Sequence, residues 1–140
     1  NLGYHSLRKY KKIDNLIINQ NELRHEMRDK IGNIEKMALK LIKDLKINRL
    51  IVTRGNSGAI LIKKNGKSVY CPAFANKVID KVGAGDAMLA IISLCLKIKI
   101  PNDLALFLGS LAGATAVENI GNSKFINKDG LLRQIQFSIK

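Results

Sequence analysis

Two short apolar runs, "NLII" (residues 15–18) and "RLIVT" (residues 49–53), flank a stretch in which Ile34, Met37, Ala38, Leu41, Ile42 and Leu45 recur at helical spacing. Glu35, Lys36, Lys40, Lys43 and Asp44 fall on the opposite face of that helix, as expected where one stripe is buried. Strand, helix, strand in that order is the sequence form of a parallel crossover, because neighbouring parallel strands need a long connection. "RGNSG" closes the second run, and two β-rich stretches follow at residues 59–63 and 67–70. Between them lies "KNGK", whose Asn65-Gly66 pair predicts a type I′ hairpin. Helices are expected over residues 84–99, stopped by Pro101, over 104–119, capped by Asn102 or Asp103, and over 129–138. Residues 2–12 read as a short basic helix. The expected architecture is α/β: a mainly parallel sheet with flanking helices and an antiparallel hairpin.

The chain has 140 residues, 46% of them hydrophobic and 25% charged, which suits one globular domain with its own core. The longest apolar stretch, residues 87–100, is short and broken by Ser93, Lys97 and Lys99, so a soluble, cytoplasmic protein is expected. Cys71 and Cys95 are far apart and lack partners at metal spacing, so they read as buried apolar residues. His5 and His25 read as surface residues, Met88 and Phe107 as core, and "ELRHEMRDK" as a solvated helix face. The net charge of +13 would suit a polyanion, but the excess is scattered and there is no Trp. A Lys-rich solvated surface accounts for most of it.

"DKVGAGD", residues 80–86, stands directly before the long apolar helix. Glycines at 83 and 85 let successive N–H groups turn toward one point, and the helix adds its own unpaired N–H groups and positive dipole end. The result is an anion hole with a carboxylate, Asp86, one turn into the helix. A Walker loop requires Lys-Ser or Lys-Thr after the last glycine, and none follows Gly85. In a dinucleotide fingerprint Met88 would stand at the third glycine. Spacing alone leaves two readings open: Asp86 as partner of the helix dipole, or Asp86 as a base for a group attacking the bound anion.

Three ordered segments carry a resemblance. "DKVGAGDAMLA" is similar to the second signature of the ribokinase-like (PfkB) carbohydrate kinases, D-x-x-G-A-G-D opening a helix. "LIINQNE" resembles that family's strand ending in N-x-x-E, with Asn19 and Glu22 in place, and "IVTRGNSGAIL" resembles its T-x-G-x-x-G segment, with Thr53, Gly55 and Gly58. The resemblance implies that Asp86 is the general base toward a sugar hydroxyl, with the amides of Gly83, Ala84 and Gly85 holding the developing charge. It implies ATP as phosphoryl donor, with Asn19, Thr53, Arg54, Gly55, Gly58 and Ser110 on the nucleotide. Asn19 and Glu22 would position Mg²⁺, largely through water. Read alone, "NQNE" is a capped helix start. A K⁺ site is implied at Asp80, Val82, Ala116, Asn119 and Gly121, although Lys81 stands where the family usually has Thr. At Ser110 the family more often has Asn or His.

Members of that family are about twice this length. Residues 1–140 therefore correspond to the C-terminal, nucleotide-binding part, with the N-terminal sugar-binding half absent; the start "NLGYHS" also reads as a piece of something longer. The expected partners are ATP, a small sugar or sugar phosphate, and the remaining half or a chain that replaces it, with a homodimer as a further arrangement. Within the family the sequence resembles the heptose-phosphate kinase branch, whose members are sometimes joined to a nucleotidyltransferase domain. Two other readings stand beside this one: a basic nucleic-acid or polyanion-binding module, and a degenerate kinase half acting as a scaffold.

Overall fold

The computed structural model describes residues 7–10, 12–75, 79–80, 82–118 and 126–138. Four strands form one mixed sheet in the order β1 (Asn15–Asn19), β2 (Arg49–Thr53), β3 (Ala59–Lys63), β4 (Ser68–Cys71). Five α-helices are described: α1 (Gln20–Met27), α2 (Ile34–Leu45), α3 (Ala84–Lys97), α4 (Asn102–Val117) and α5 (Lys128–Ser138). The chain divides into two compact units, residues 1–54 with 60–69, and residues 55–59 with 70–140.

The first unit is built on the expected crossover. β1 and β2 pair in parallel, and α1 and α2 lie between them in sequence. Leu50, Val52, Ile60 and Ile62 on the sheet meet Leu23 of α1 and Met37, Ala38, Leu41 and Ile42 of α2 in one apolar cluster. Ile51 and Leu61, which alternate with these, are also fully buried. Side chains alternate across a strand, so β2 and β3 are covered on both faces, which explains runs that are apolar throughout. Arg8, on a 3-10 turn at Leu7–Lys9, reaches Glu26 of α1 at 3.3 Å and Asp44 of α2 at 3.5 Å.

In the second unit α3 packs along α4, and α5 rests against α4. Thr115 Oγ1 lies 3.0 Å from Leu111 O and 2.8 Å from the side-chain amide of Gln134. A hydroxyl has one proton to donate, so it serves either the Leu111 carbonyl or Gln134 Oε1 at a time. Cys71 and Cys95 are free and buried, and Met88 is buried as core, as expected.

Three expectations change in detail. Of residues 2–12, the described part is helical only at Leu7–Lys9. The hairpin forms, but not through a type I′ turn: Asn65 keeps a negative φ while Gly66 has φ 85°. Gly66 N–H donates to Lys63 O at 2.9 Å, and Lys63 N–H donates to Lys67 O at 2.9 Å. This is a tight turn followed by a left-handed glycine bulge, one residue longer than the I′ form. Finally, α4 begins two residues earlier than expected, with Pro101 at its N-cap and no side-chain cap from Asn102 or Asp103.

Helix ends contribute a measurable strain. Lys46 closes α2 at φ 55°, its N–H directed to Ile42 O and Lys43 O. A lysine complements the helix dipole there but meets the Cβ penalty of left-handed backbone, which glycine avoids. Lys46→Gly is therefore expected to raise the unfolding free energy by roughly 0.5–1 kcal/mol. The check is the urea midpoint at constant m-value; an unchanged or lower midpoint contradicts the strain.

Candidate active site

In the first unit the parallel register places Asn15 opposite Arg49 at one end and Asn19 opposite Thr53 at the other. Residues from two distant segments thus meet at the carboxyl ends of adjacent parallel strands, where open α/β sheets receive ligands. Asn19 also starts α1. Its Oδ1 accepts from Glu22 N–H at 2.8 Å, and Glu22 Oε2 accepts from Asn19 N–H at 2.8 Å. That reciprocal pair is a capping box, the reading that "NQNE" carries on its own. It also holds the Glu22 carboxylate at the strand end through one of its two oxygens, Oε2. Arg54 follows Thr53 and is half-buried.

In the second unit the glycine turn opens α3. Gly83 is the N-cap in left-handed backbone, φ 85° and ψ −13°, a conformation that side chains resist. No side chain caps the helix. Asp86, at the third helical position, is exposed and makes no side-chain hydrogen bond with any described residue. The N–H groups of Ala84, Gly85 and Asp86 have no intrahelical partner, since the first intrahelical bond runs from Ala87 N–H to Gly83 O at 2.9 Å. The Asp86 carboxylate makes no capping hydrogen bond with the described residues, while its place in the first turn suits the helix dipole, so both readings of Asp86 stay open.

The segment before this turn is tied to the end of α4. Ile79 and Asp80 N–H both donate to Val117 O, at 2.8 and 3.1 Å, and Asp80 Oδ1 accepts from Val82 N–H at 2.9 Å. Asp80, Val82 and the Ala116 end of α4 are thus neighbours through these bonds. Asn119 and Gly121 lie outside the described residues. The groups that these bonds bring together are a carboxylate and a main-chain carbonyl, oxygen donors of the kind that hard cations take.

Gly55 opens a 3-10 turn at Gly55–Ser57, and Gly58 closes it with φ 75°. A Cβ at Gly58 would run into backbone atoms of Cys71, Pro72 and Ala73. The segment that Gly58 supports continues to Phe74, whose ring packs edge-on against Phe107 of α4 with centroids 5.4 Å apart. Ser110, one turn along α4, has a buried Oγ with no hydrogen bond of normal geometry. Its polar neighbour is the Cys71 thiol, which burial pushes up in pKa while Ser110 pulls weakly the other way. Gly58 and Ser110, predicted from separate motifs, are joined through residues 71–74. Cys71, Phe74 and the α4 residues Gly113 and Val117 were not predicted as site residues. The small-residue spacing of α4 was visible in the sequence, but the Phe74 contact had no sequence signal.

Residues 4–129 match the pfkB family of carbohydrate kinases. This chain belongs to that family. The PfkB match covers both strand-end motifs and the glycine turn. Among curated relatives, the bifunctional protein HldE of Haemophilus ducreyi is 33% identical over 92 residues, which is 66% of this chain and 19% of that protein. HldE of Histophilus somni is 32% identical over 64% of this chain and 19% of its own length. The chain thus spans about a fifth of these relatives.

The solved phosphofructokinase-2 of Escherichia coli in complex with potassium superposes with a TM-score of 0.78 at 21% identity, covering 95% of this chain and 43% of that one. The ribokinase of Thermotoga maritima gives 0.76 at 23% identity, over 89% and 42%. These likenesses establish a ribokinase-like α/β fold, as expected. Among the described residues no helix is long and apolar enough to cross a membrane.

Gly58→Ala combines left-handed backbone with contact against a main chain that cannot be trimmed. It is expected to cost about 2 kcal/mol or more of stability, read from thermal or urea unfolding; a loss within about 0.5 kcal/mol contradicts the close approach.

Proposed function

We propose that the chain is the nucleotide-side part of an ATP-dependent carbohydrate kinase, transferring the γ-phosphoryl group of ATP to a hydroxyl of a sugar or sugar phosphate. The observation that carries this reading is the exposed Asp86 carboxylate, which bonds to no described residue, beside a first turn of α3 that no described side chain caps. Unpaired N–H groups at a helix start favour an anion, and a carboxylate at that place competes with the anion unless it serves the attacking group.

Asp86 takes the proton of the acceptor hydroxyl as its oxygen attacks phosphorus in line. The N–H groups of the turn, from Gly83, Ala84 and Gly85, face the charge that spreads over the phosphoryl oxygens. Thr53, Arg54, Gly55, Gly58 and Ser110 hold the nucleotide, with Asn19 at the strand end. Mg²⁺, when bound, neutralises phosphate charge, and Asn19 and Glu22 would hold it through water: their capping box leaves carboxylate oxygen for outer-sphere contact. Asp80, Val82, Ala116, Asn119 and Gly121 would hold K⁺.

The acceptor is supplied by a part of the protein beyond these residues, in the same polypeptide or a partner, with a homodimer as another arrangement. The solved relatives are more than twice as long. In α3, Leu94 is 64% exposed and Ile98, at its C-cap, 71%, apolar surface that a complete domain ordinarily covers. Similarity to the heptose-phosphate kinase branch favours a sugar phosphate as acceptor.

Asp86→Asn, in the protein at its natural length, is expected to lower phosphoryl transfer by about a hundredfold or more while ATP affinity stays within about twofold. ADP release is assayed with a panel of sugars and sugar phosphates. Unchanged turnover in Asp86→Asn overturns the base. A polyanion-binding module, which the charge of +13 favours, instead predicts tight nucleic-acid binding with a steep salt slope that Asp86→Asn leaves intact or strengthens. A scaffold binds nucleotide without turnover. The 140-residue chain alone is expected to show no sugar turnover; robust ADP release from it contradicts the missing half.

A further inference from the structure

Gly109, Gly113 and Val117 recur every fourth residue along α4, on one ridge of the helix. Gly109 and Gly113 meet α3, and Val117 meets the segment before the glycine turn. A Cβ at Gly109 would collide with Ile92 Cγ1 and lie 2.7 Å from Ile92 Cδ1 and 3.3 Å from Met88 Cγ. A Cβ at Gly113 would lie 3.4 Å from Ala84 O and 3.9 Å from Met88 Cβ. Ala84, Met88 and Ile92 are likewise four apart on α3, and they are met in reverse order, so the two helices run antiparallel with a ridge of one seated in the glycine groove of the other. One turn beyond Gly113, Val117 O accepts the N–H groups of Ile79 and Asp80 at 2.8 and 3.1 Å.

A single ridge of α4 therefore holds the chain on both sides of the turn: residues 79 and 80 before it, Ala84 after it. We infer that α4 is the template that fixes the anion-binding turn, and that Gly113 is a positioning residue for phosphoryl transfer, acting through the Ala84 carbonyl. This rests on the kinase reading of Asp86 and the turn. The physical reason is the kind of atom each glycine faces. Gly109 faces side chains, which can be trimmed. Gly113 faces a main-chain carbonyl in the first turn of α3, rigidly joined to the N–H groups of Ala84, Gly85 and Asp86. A β-branched side chain at Gly113 adds two methyl groups where the Cβ alone already reaches contact with that turn, and small misplacements of preorganised donors lower turnover steeply. An alanine at 113 stays at ordinary contact distance and gains helix propensity.

The test uses the protein at its natural length with a sugar or sugar phosphate that it phosphorylates. Gly113→Val, folded by circular dichroism, is expected to lower kcat by about ten- to a hundredfold with KM for ATP within about threefold, while Gly113→Ala keeps kcat within about threefold. Gly109→Ala is expected to lower kcat and to be rescued by Ile92→Ala. A folded Gly113→Val with kcat within about threefold of the parent, or a Gly113→Ala as impaired as Gly113→Val, overturns the positioning role. Should Gly113→Val not fold, the Gly109→Ala and Ile92→Ala pair decides, and absence of rescue counts against the template.

Amide hydrogen exchange separates this proposal from the kinase reading, since it needs no turnover. Slow exchange at Ile79 and Asp80 that quickens about tenfold or more in Gly113→Val supports the template even if the parent transfers no phosphoryl group. Exchange there as fast as in exposed loops refutes it.

Discussion

The parallel register between β1 and β2 is the constraint on which the first unit depends. A slip of one residue in β1 would turn Ile18 away from the face that Leu50 and Val52 share with Leu23, Leu41 and Ile42, because side chains alternate across a strand. The amino ends are also pinned by polar contacts. Arg49 bonds Asp14 at 3.2 Å and Asn15 at 3.0 Å, Asn48 N–H donates to Asp14 O at 2.9 Å, and the Asn48 and Asp14 side chains are bonded to each other. With that end held and the core facing one way, Asn19 must arrive beside Thr53. The carboxyl-edge residues are thus placed by apolar packing and by a polar clamp at the far end of the same strands.

The second unit uses a different device. α1 and α2 are each capped by an asparagine, Asn19 and Asn33, at a typical value of about 1 kcal/mol per cap. α3 has a left-handed glycine instead, with a carboxylate close by that bonds to nothing described. α4 also lacks a side-chain cap, so a missing cap alone decides nothing. What sets α3 apart is that its N-cap, Gly83, lies in left-handed backbone, which a side chain resists. An aspartate in the first turn also complements the helix dipole.

Much of this was legible in the sequence because it follows from local periodicity. α2 was expected at Ile34–Leu45 and β2 at Arg49–Thr53, and both form at those bounds. Family membership was legible through three ordered motifs. The hairpin was legible but its turn was not: Asn-Gly permits a I′ turn, and the observed bulge depends on the strand pairing that surrounds it. The cap of α4 was assigned to Asn102 or Asp103 from residue preference, while the helix begins at the turn set by Pro101. The contacts joining Gly58, residues 71–74, Phe107 and Ser110 were not legible, since packing between distant segments leaves no period in either of them.

The sequence by itself determined the element types, the family and the residues able to carry chemistry, because helical and strand periodicity, turn residues and motif spacing are properties of contiguous chain. It also determined that Asn19 and Glu22 could cap a helix, which they do. Only the tertiary structure decided that Asp86 makes no capping hydrogen bond with the described residues, that Asn19 lies across from Thr53, and that one ridge of α4 holds both sides of the glycine turn. Those outcomes depend on strand register and helix seating, and both are set by which surfaces are buried together rather than by any segment's own preference.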